Sequence, residues 1–137
     1  MDKLFISAES LLRDSMELAR LIVRSGFRPT VLVAIWRGGA PIGIAVQEVL
    51  EYHGIHTDHI AIRTSSYSGV GEHGKTVRVH AVDYLVSRLS AEDELLLPDY
   101  YVLDTDRWLV FPHEISGLTR EEILEHKPVG PNFFDPL

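Results

Sequence analysis

The chain has 137 residues, 45% of them hydrophobic, and a formal net charge of −7. That length fits one domain, 1–137, with a real core; no apolar run approaches a membrane span, and the negative balance argues against nucleic acid as a main partner. There is no cysteine, which removes disulfides, thiolate metal sites and cysteine nucleophiles. No basic-then-apolar leader opens the chain, so the expected setting is cytoplasmic.

Ser7 is placed to cap a helix over Ala8–Ser25, whose apolar residues Leu11, Leu12, Met16, Leu18, Ala19, Ile22 and Val23 recur at helical spacing. Gly26 ends it, with Pro29 just beyond. Residues 31–35 are apolar and β-branched at Val31, Val33 and Ile35, the pattern of a buried strand. Trp36-Arg37-Gly38-Gly39 then leads into a helix predicted to open at Pro41 and run to Tyr52, with Gly54 after it. A strand, a short glycine turn and a helix N-terminus can bind an anion, because the first N–H groups are unpaired and the helix dipole is positive there. Arg37 adds a fixed cation that can grip phosphate with two donors. The same residues also suit an ordinary βα turn with glycines for tightness, and spacing alone leaves both readings open.

Residues 58–64 alternate as a second strand, 65–75 form a polar glycine-rich loop, and 76–82 alternate again. A short helix or turn is expected over 83–89, and short strands over 94–97 and 100–103. An apolar run at 108–111 ends at Pro112. Thr119 and Glu122 have the spacing of a capping box, with Leu118 and Ile123 at the staple positions, so Arg120–His126 is predicted to be a helix. The class is α/β.

Only Pro98-Asp99 separates the two apolar runs 94–97 and 100–103. Parallel neighbours need a crossover of a dozen or more residues. The runs are therefore an antiparallel hairpin with poor turn chemistry, one edge strand kinked at proline, or the two sides of a lost loop–helix–strand unit.

Three further groups have two readings each. His53, His56 and His59 recur every third residue, a metal-like spacing, but they straddle a helix end and a strand start. Asp104 and Asp106 could hold Mg²⁺ through oxygen, or flank a plain turn at Thr105. His113 beside Glu114 could be an acid–base pair or two solvated residues.

The chain resembles a type I phosphoribosyltransferase of the 6-oxopurine kind (hypoxanthine, guanine, xanthine). Trp36-Arg37-Gly38-Gly39 resembles the family's pyrophosphate loop, where a non-proline cis peptide turns amides toward the diphosphate. Ser66-Tyr67 resembles the Ser-Tyr of the mobile hood over the active site. Asp99-Tyr100-Tyr101-Val102 followed by Trp108-Leu109-Val110-Phe111-Pro112-His113-Glu114 resembles the purine-binding end of the bacterial xanthine–guanine enzymes.

The resemblance implies a parallel sheet flanked by helices with a C-terminal base-binding hood. It implies purine salvage: a purine base and phosphoribosyl diphosphate give a nucleoside monophosphate and diphosphate, with Mg²⁺ and a homodimer. Trp36, Arg37, Gly38 and Gly39 would bind diphosphate. Trp108 would stack on the base, Leu109 would read it through its backbone, and Glu114 would be the acid after the proline. Ser66 and Tyr67 would close over the reaction. One element of the family is missing. After a strand like 94–97 the family has two acids and an Asp-Thr-Gly turn that cradles the 5-phosphate and supplies the usual candidate base. Here Leu97 is followed at once by Pro98-Asp99, a shortfall on the order of forty to fifty residues, about one βα unit. The resemblance therefore implies an internally shortened phosphoribosyltransferase. A non-catalytic module that binds nucleotide or diphosphate, or only dimerises, is the alternative.

Overall fold

In the computed structural model, residues 2–66, 76–79, 89–90, 99–105 and 107–136 are described, with backbone alone at 64–66, 76–79 and 89–90. Strand β1 (Lys3–Phe5) is followed by α1 (Ala8–Ser25), β2 (Val31–Trp36), α2 (Gly39–Tyr52), β3 (Asp58–Ser66), β4 (Thr76–Val79), β5 (Leu89–Ser90), β6 (Trp108–Val110) and α3 (Arg120–His126), with a 3-10 turn at Pro131–Phe134. The class is α/β, as expected.

The helices begin and end where local chemistry says they should. Ser7 accepts from the Ser10 N–H, and Gly26 closes α1 at φ 82°, a left-handed position where glycine pays no steric penalty. At α3 the Thr119 side chain accepts from the Glu122 N–H while the Glu122 carboxylate accepts from the Thr119 N–H. Both expected helices have the predicted bounds. Helix α2 instead starts at Gly39, two residues before the expected Pro41. Proline is tolerated anywhere in the first turn, where its missing N–H would have no helical partner, so it marks the turn and not the first residue.

The main sheet has the order β2-β3-β4-β5: β2 and β3 are parallel, and the next two pairings are antiparallel. Helices α1 and α2 pack on one of its faces, where Ala19, Val46, Leu50 and Ile55 form the core with Leu32 and Ile42 against them. The fit is close: a Cβ built on Gly43 of α2 would lie 2.9 Å from the Ala34 Cβ of β2. A second, two-stranded parallel sheet joins β1 to β6, in register Lys3 with Trp108 and Phe5 with Val110. Val110 is 2% exposed.

Several sequence expectations need correction. Residues 31–35 are not a fully buried strand: Val31, Val33 and Ile35 are 55%, 50% and 54% exposed. Alternate side chains of a strand point to opposite faces, and α1 and α2 cover only the face that carries Leu32 and Ala34. Ser65 and Ser66 belong to β3 and not to a loop, and Leu89 lies in β5 and not in a helix or turn. Residues 100–103 are not a strand. Tyr100 anchors there instead, stacking on Phe27 at 6.5 Å with its hydroxyl 2.7 Å from Ser25 Oγ. Tyr101, Val102 and Leu103 are exposed. The Leu97–Pro98 junction, and with it the expectation of a missing unit, lies outside the described residues.

Candidate functional site

The β2–α2 turn is built as an anion receptor would be. Gly38 precedes α2 with no side-chain hydrogen bond to the helix, and the first turn of α2 has no acidic residue. Helices α1 and α3 both have side-chain caps, with acids in their first turns. The positive end of the α2 dipole is therefore uncompensated, and Arg37 stands exposed beside it. The Trp36–Arg37 peptide bond is cis, as the resemblance implies. Trp36 is 54% exposed.

A cavity of about 420 Å³ opens beside this turn, lined by Lys3, Arg37, Trp108, Val110, Glu114 and the Ser116–Leu118 turn. It brings together residues from both ends of the sequence. Arg37 comes from the β2–α2 turn, Trp108 from β6 and Glu114 from the turn after it. Trp108 is 56% exposed, a ring face available to a planar partner. The Trp108 N–H donates to the Asp2 carbonyl, and the Val110 carbonyl accepts from Ile6. Parallel strands alternate their bonding residues, so the Leu109 N–H and C=O point away from β1, to the edge of β6 that has no partner among the described residues.

Glu114 is half-buried, and its Oε2 accepts from the Phe111 N–H at 3.0 Å while its own N–H donates to the Phe111 carbonyl. The carboxylate thus closes its own turn, and His113 beside it stacks its ring on Phe111. The Phe111 ring also lies on Gly38: a Cβ there would meet ring atoms at 3.0 to 3.3 Å. A side chain at Gly38 would press on that ring, so the Phe111 turn packs directly on the β2–α2 turn. Behind the cavity, Lys3 Nζ donates to both Glu122 oxygens at 2.7 and 2.9 Å, tying β1 to α3. This bond, more than any other contact, holds the Glu122 carboxyl below the usual carboxylate range. Burial pushes the Lys127 ammonium below the usual lysine value, against the opposing pull of Glu114.

Sequence reasoning named Arg37, Trp108 and Glu114, and these three line one cavity. Gly38 adjoins it through Phe111, and Gly39 opens α2. Ser66 ends β3, where its backbone pairs with Val77. Tyr67 and Asp106 lie outside the described residues. Among the described residues the histidines 53, 56 and 59 do not gather: His56 bonds Glu51 and His59 bonds Gln47. Lys3, Ser116, Gly117 and Lys127 carry no signal in the sequence analysis: Ser116 and Gly117 follow Glu114 in the same turn, while Lys3 and Lys127 come to the site through long-range contact.

The fold is similar to that of a phosphoribosyltransferase. A purine phosphoribosyltransferase from Pyrococcus horikoshii Ot3 superposes with a TM-score of 0.58 at 17% identity, covering 87% of this chain and 98% of that one. A hypothetical protein from Neisseria gonorrhoeae with bound ppGpp is similar at a TM-score of 0.45 and 22% identity, over 58% of this chain and 44% of that one. No protein-family model matches the sequence, and no curated protein matches it. Among the described residues no helix is long and apolar enough to cross a membrane.

Proposed function

We propose that this chain is a purine phosphoribosyltransferase of the 6-oxopurine kind, acting on a purine base and phosphoribosyl diphosphate. What supports this most is one juxtaposition: the Arg37 cation of the uncapped β2–α2 turn and the exposed Trp108 ring share a cavity of about 420 Å³. One end suits an anion and the other an aromatic base. The Pyrococcus protein of like fold is named a purine phosphoribosyltransferase, which supports the substrate class.

In the reaction the bond from ribose C1′ to the diphosphate oxygen breaks with its electron pair leaving on the diphosphate, a bond from C1′ to a purine nitrogen forms, and that nitrogen gives up its proton to water. Arg37, the Gly38 and Gly39 amides and the α2 N-terminus hold the leaving diphosphate and take up its growing charge. Trp108 stacks on the purine, Leu109 meets its edge through backbone groups, and Glu114 faces it from the following turn. Ser66 and Tyr67, the latter outside the described residues, have the role that the resemblance gives them, keeping water from the reacting atoms. The protein contributes position and electrostatics, with no covalent intermediate. Among the described residues no group of three acidic or histidine side chains gathers for a metal ion. Glu114 is the one acid of the cavity lining, and one of its oxygens is held by Phe111. The described residues therefore do not fit a protein-held Mg²⁺.

A second reading has an observation of its own. The sequence passes from Leu97 to Pro98-Asp99 without the acid pair and Asp-Thr-Gly turn, and Val31, Val33 and Ile35 are each about half exposed on the far face of β2. On that reading the chain is a nucleotide- or diphosphate-binding module without turnover. Titration calorimetry with diphosphate, phosphoribosyl diphosphate and hypoxanthine, beside a turnover assay with hypoxanthine, guanine and xanthine, separates the two. Binding with turnover is the enzyme, binding without turnover is the module, and no binding removes both.

A further inference from the structure

Lys127 is 8% exposed, directly after α3. A buried ammonium is costly unless hydrogen bonds and nearby charge compensate it. An apolar side chain of the same length would fill the space at lower cost, so packing does not account for the charge. Its Nζ donates to the Phe111 carbonyl at 2.7 Å, and among the described residues that is its one hydrogen bond. The same carbonyl accepts from the Glu114 N–H at 3.0 Å, and the Phe111 N–H donates to Glu114 Oε2 at 3.0 Å. Lys127 thus grips the one residue that is bonded to Glu114 in both directions and whose ring lies on Gly38.

We propose that Lys127 is a positioning residue for the base end of the cavity: its hydrogen bond to the Phe111 carbonyl fixes the turn carrying Glu114 and seats the Phe111 ring against the anion turn. The effect on base binding rests on the functional reading above. Lys127 does not line the cavity, so it acts through Phe111 and touches no ligand. Removing its bond frees the 111–114 turn and the adjoining end of β6, where Trp108 and Val110 lie. Arg37 stands on a different element and keeps its place.

The test uses the full chain labelled with 5-fluorotryptophan. With two tryptophans in the sequence, the spectrum has two fluorine resonances, assigned by Trp36→Phe. In Lys127→Met the ligand-free Trp108 resonance shifts or broadens while that of Trp36 moves less. Hypoxanthine affinity falls roughly tenfold, as expected when a charge-assisted hydrogen bond is removed and part of its value reaches the site. Diphosphate affinity stays within about twofold. Lys127→Arg, which keeps a donor on a longer stem, gives the same selectivity at smaller size and serves if the methionine variant does not fold. Unchanged resonances and affinities in a folded variant overturn the proposal. So does an equal loss of both affinities with a lower melting temperature, which marks a purely structural lysine. If the wild-type chain binds neither hypoxanthine nor diphosphate, the functional reading falls, and the fluorine spectra alone decide whether Lys127 positions the turn.

Discussion

The α2–β2 contact permits a prediction in which two effects of known sign compete. Gly43 lies inside α2, where alanine favours the helix by about 1 kcal/mol over glycine. On propensity alone, Gly43→Ala stabilises. The added Cβ would lie 2.9 Å from Ala34 Cβ and 3.2 Å from Leu32 Cδ2. The leucine tip can move; the alanine Cβ cannot without its backbone. Overpacking of this kind costs about 1–3 kcal/mol. The clash outweighs the propensity, and the expected net loss is about 1 kcal/mol. For a chain of this size that lowers the melting temperature by roughly 2–8 °C. Ala34→Gly removes the obstructing atom at the expense of about 0.5–1 kcal/mol of strand stability. The pair should then be strongly non-additive: Gly43→Ala becomes neutral or stabilising in the Ala34→Gly background, with a coupling of about 1 kcal/mol. Thermal unfolding followed by circular dichroism on the four proteins measures the cycle. A higher melting temperature for Gly43→Ala alone, or additive effects, would refute the claim that α2 is held against β2 at this point.

Arg37→Ala should weaken diphosphate binding by about one to two decades, the worth of a charge-assisted hydrogen bond of roughly 1.5–3 kcal/mol, and leave hypoxanthine binding nearly unchanged in calorimetry. Trp108→Ala should do the reverse, losing about 1–3 kcal/mol of base stacking, with little change in melting temperature because the ring is 56% exposed. Thr119→Ala removes the α3 cap and should cost about 1 kcal/mol in chemical denaturation. The Glu122 carboxyl has a depressed folded-state pKa, held chiefly by Lys3, so its contribution is present above the ordinary glutamate value of 4.5 and is lost as pH falls through the folded one. Lys3→Met should therefore lower the melting temperature at neutral pH, and its difference from wild type should shrink toward zero in acid.

Local chemistry was readable in advance, and long-range pairing was not. The caps of α1 and α3 are written within four residues of each other, in Ser7 with Ser10 and Thr119 with Glu122. Strand β1 has three residues and no periodicity worth the name; it is a strand because β6 lies beside it. The apolar run after Asp99 looks like a strand, yet Tyr100 finds Ser25 and Phe27 and the run leaves no ladder. At the site, Arg37 was named from its place before a helix start. Trp108 is legible as a base contact only through the family resemblance, and Glu114 through that and through its place beside His113. Lys127 is tied to Phe111 by a bond over sixteen residues, and nothing near Lys127 in sequence announces it.

The clasp between Lys3 and Glu122 spans 119 residues of sequence. Closing a loop of that length costs about 4 kcal/mol of chain entropy beyond a constant term, so β1 has little reason to settle before β6 and α3 exist to receive it. During synthesis the wall of the cavity made by Lys3, Trp108 and Glu114 cannot assemble until residues through α3 have left the ribosome. The α1–β2–α2–β3 unit, whose contacts are local by comparison, can pack first. Any ligand that needs both Arg37 and Trp108 therefore distinguishes a finished molecule from a nascent one.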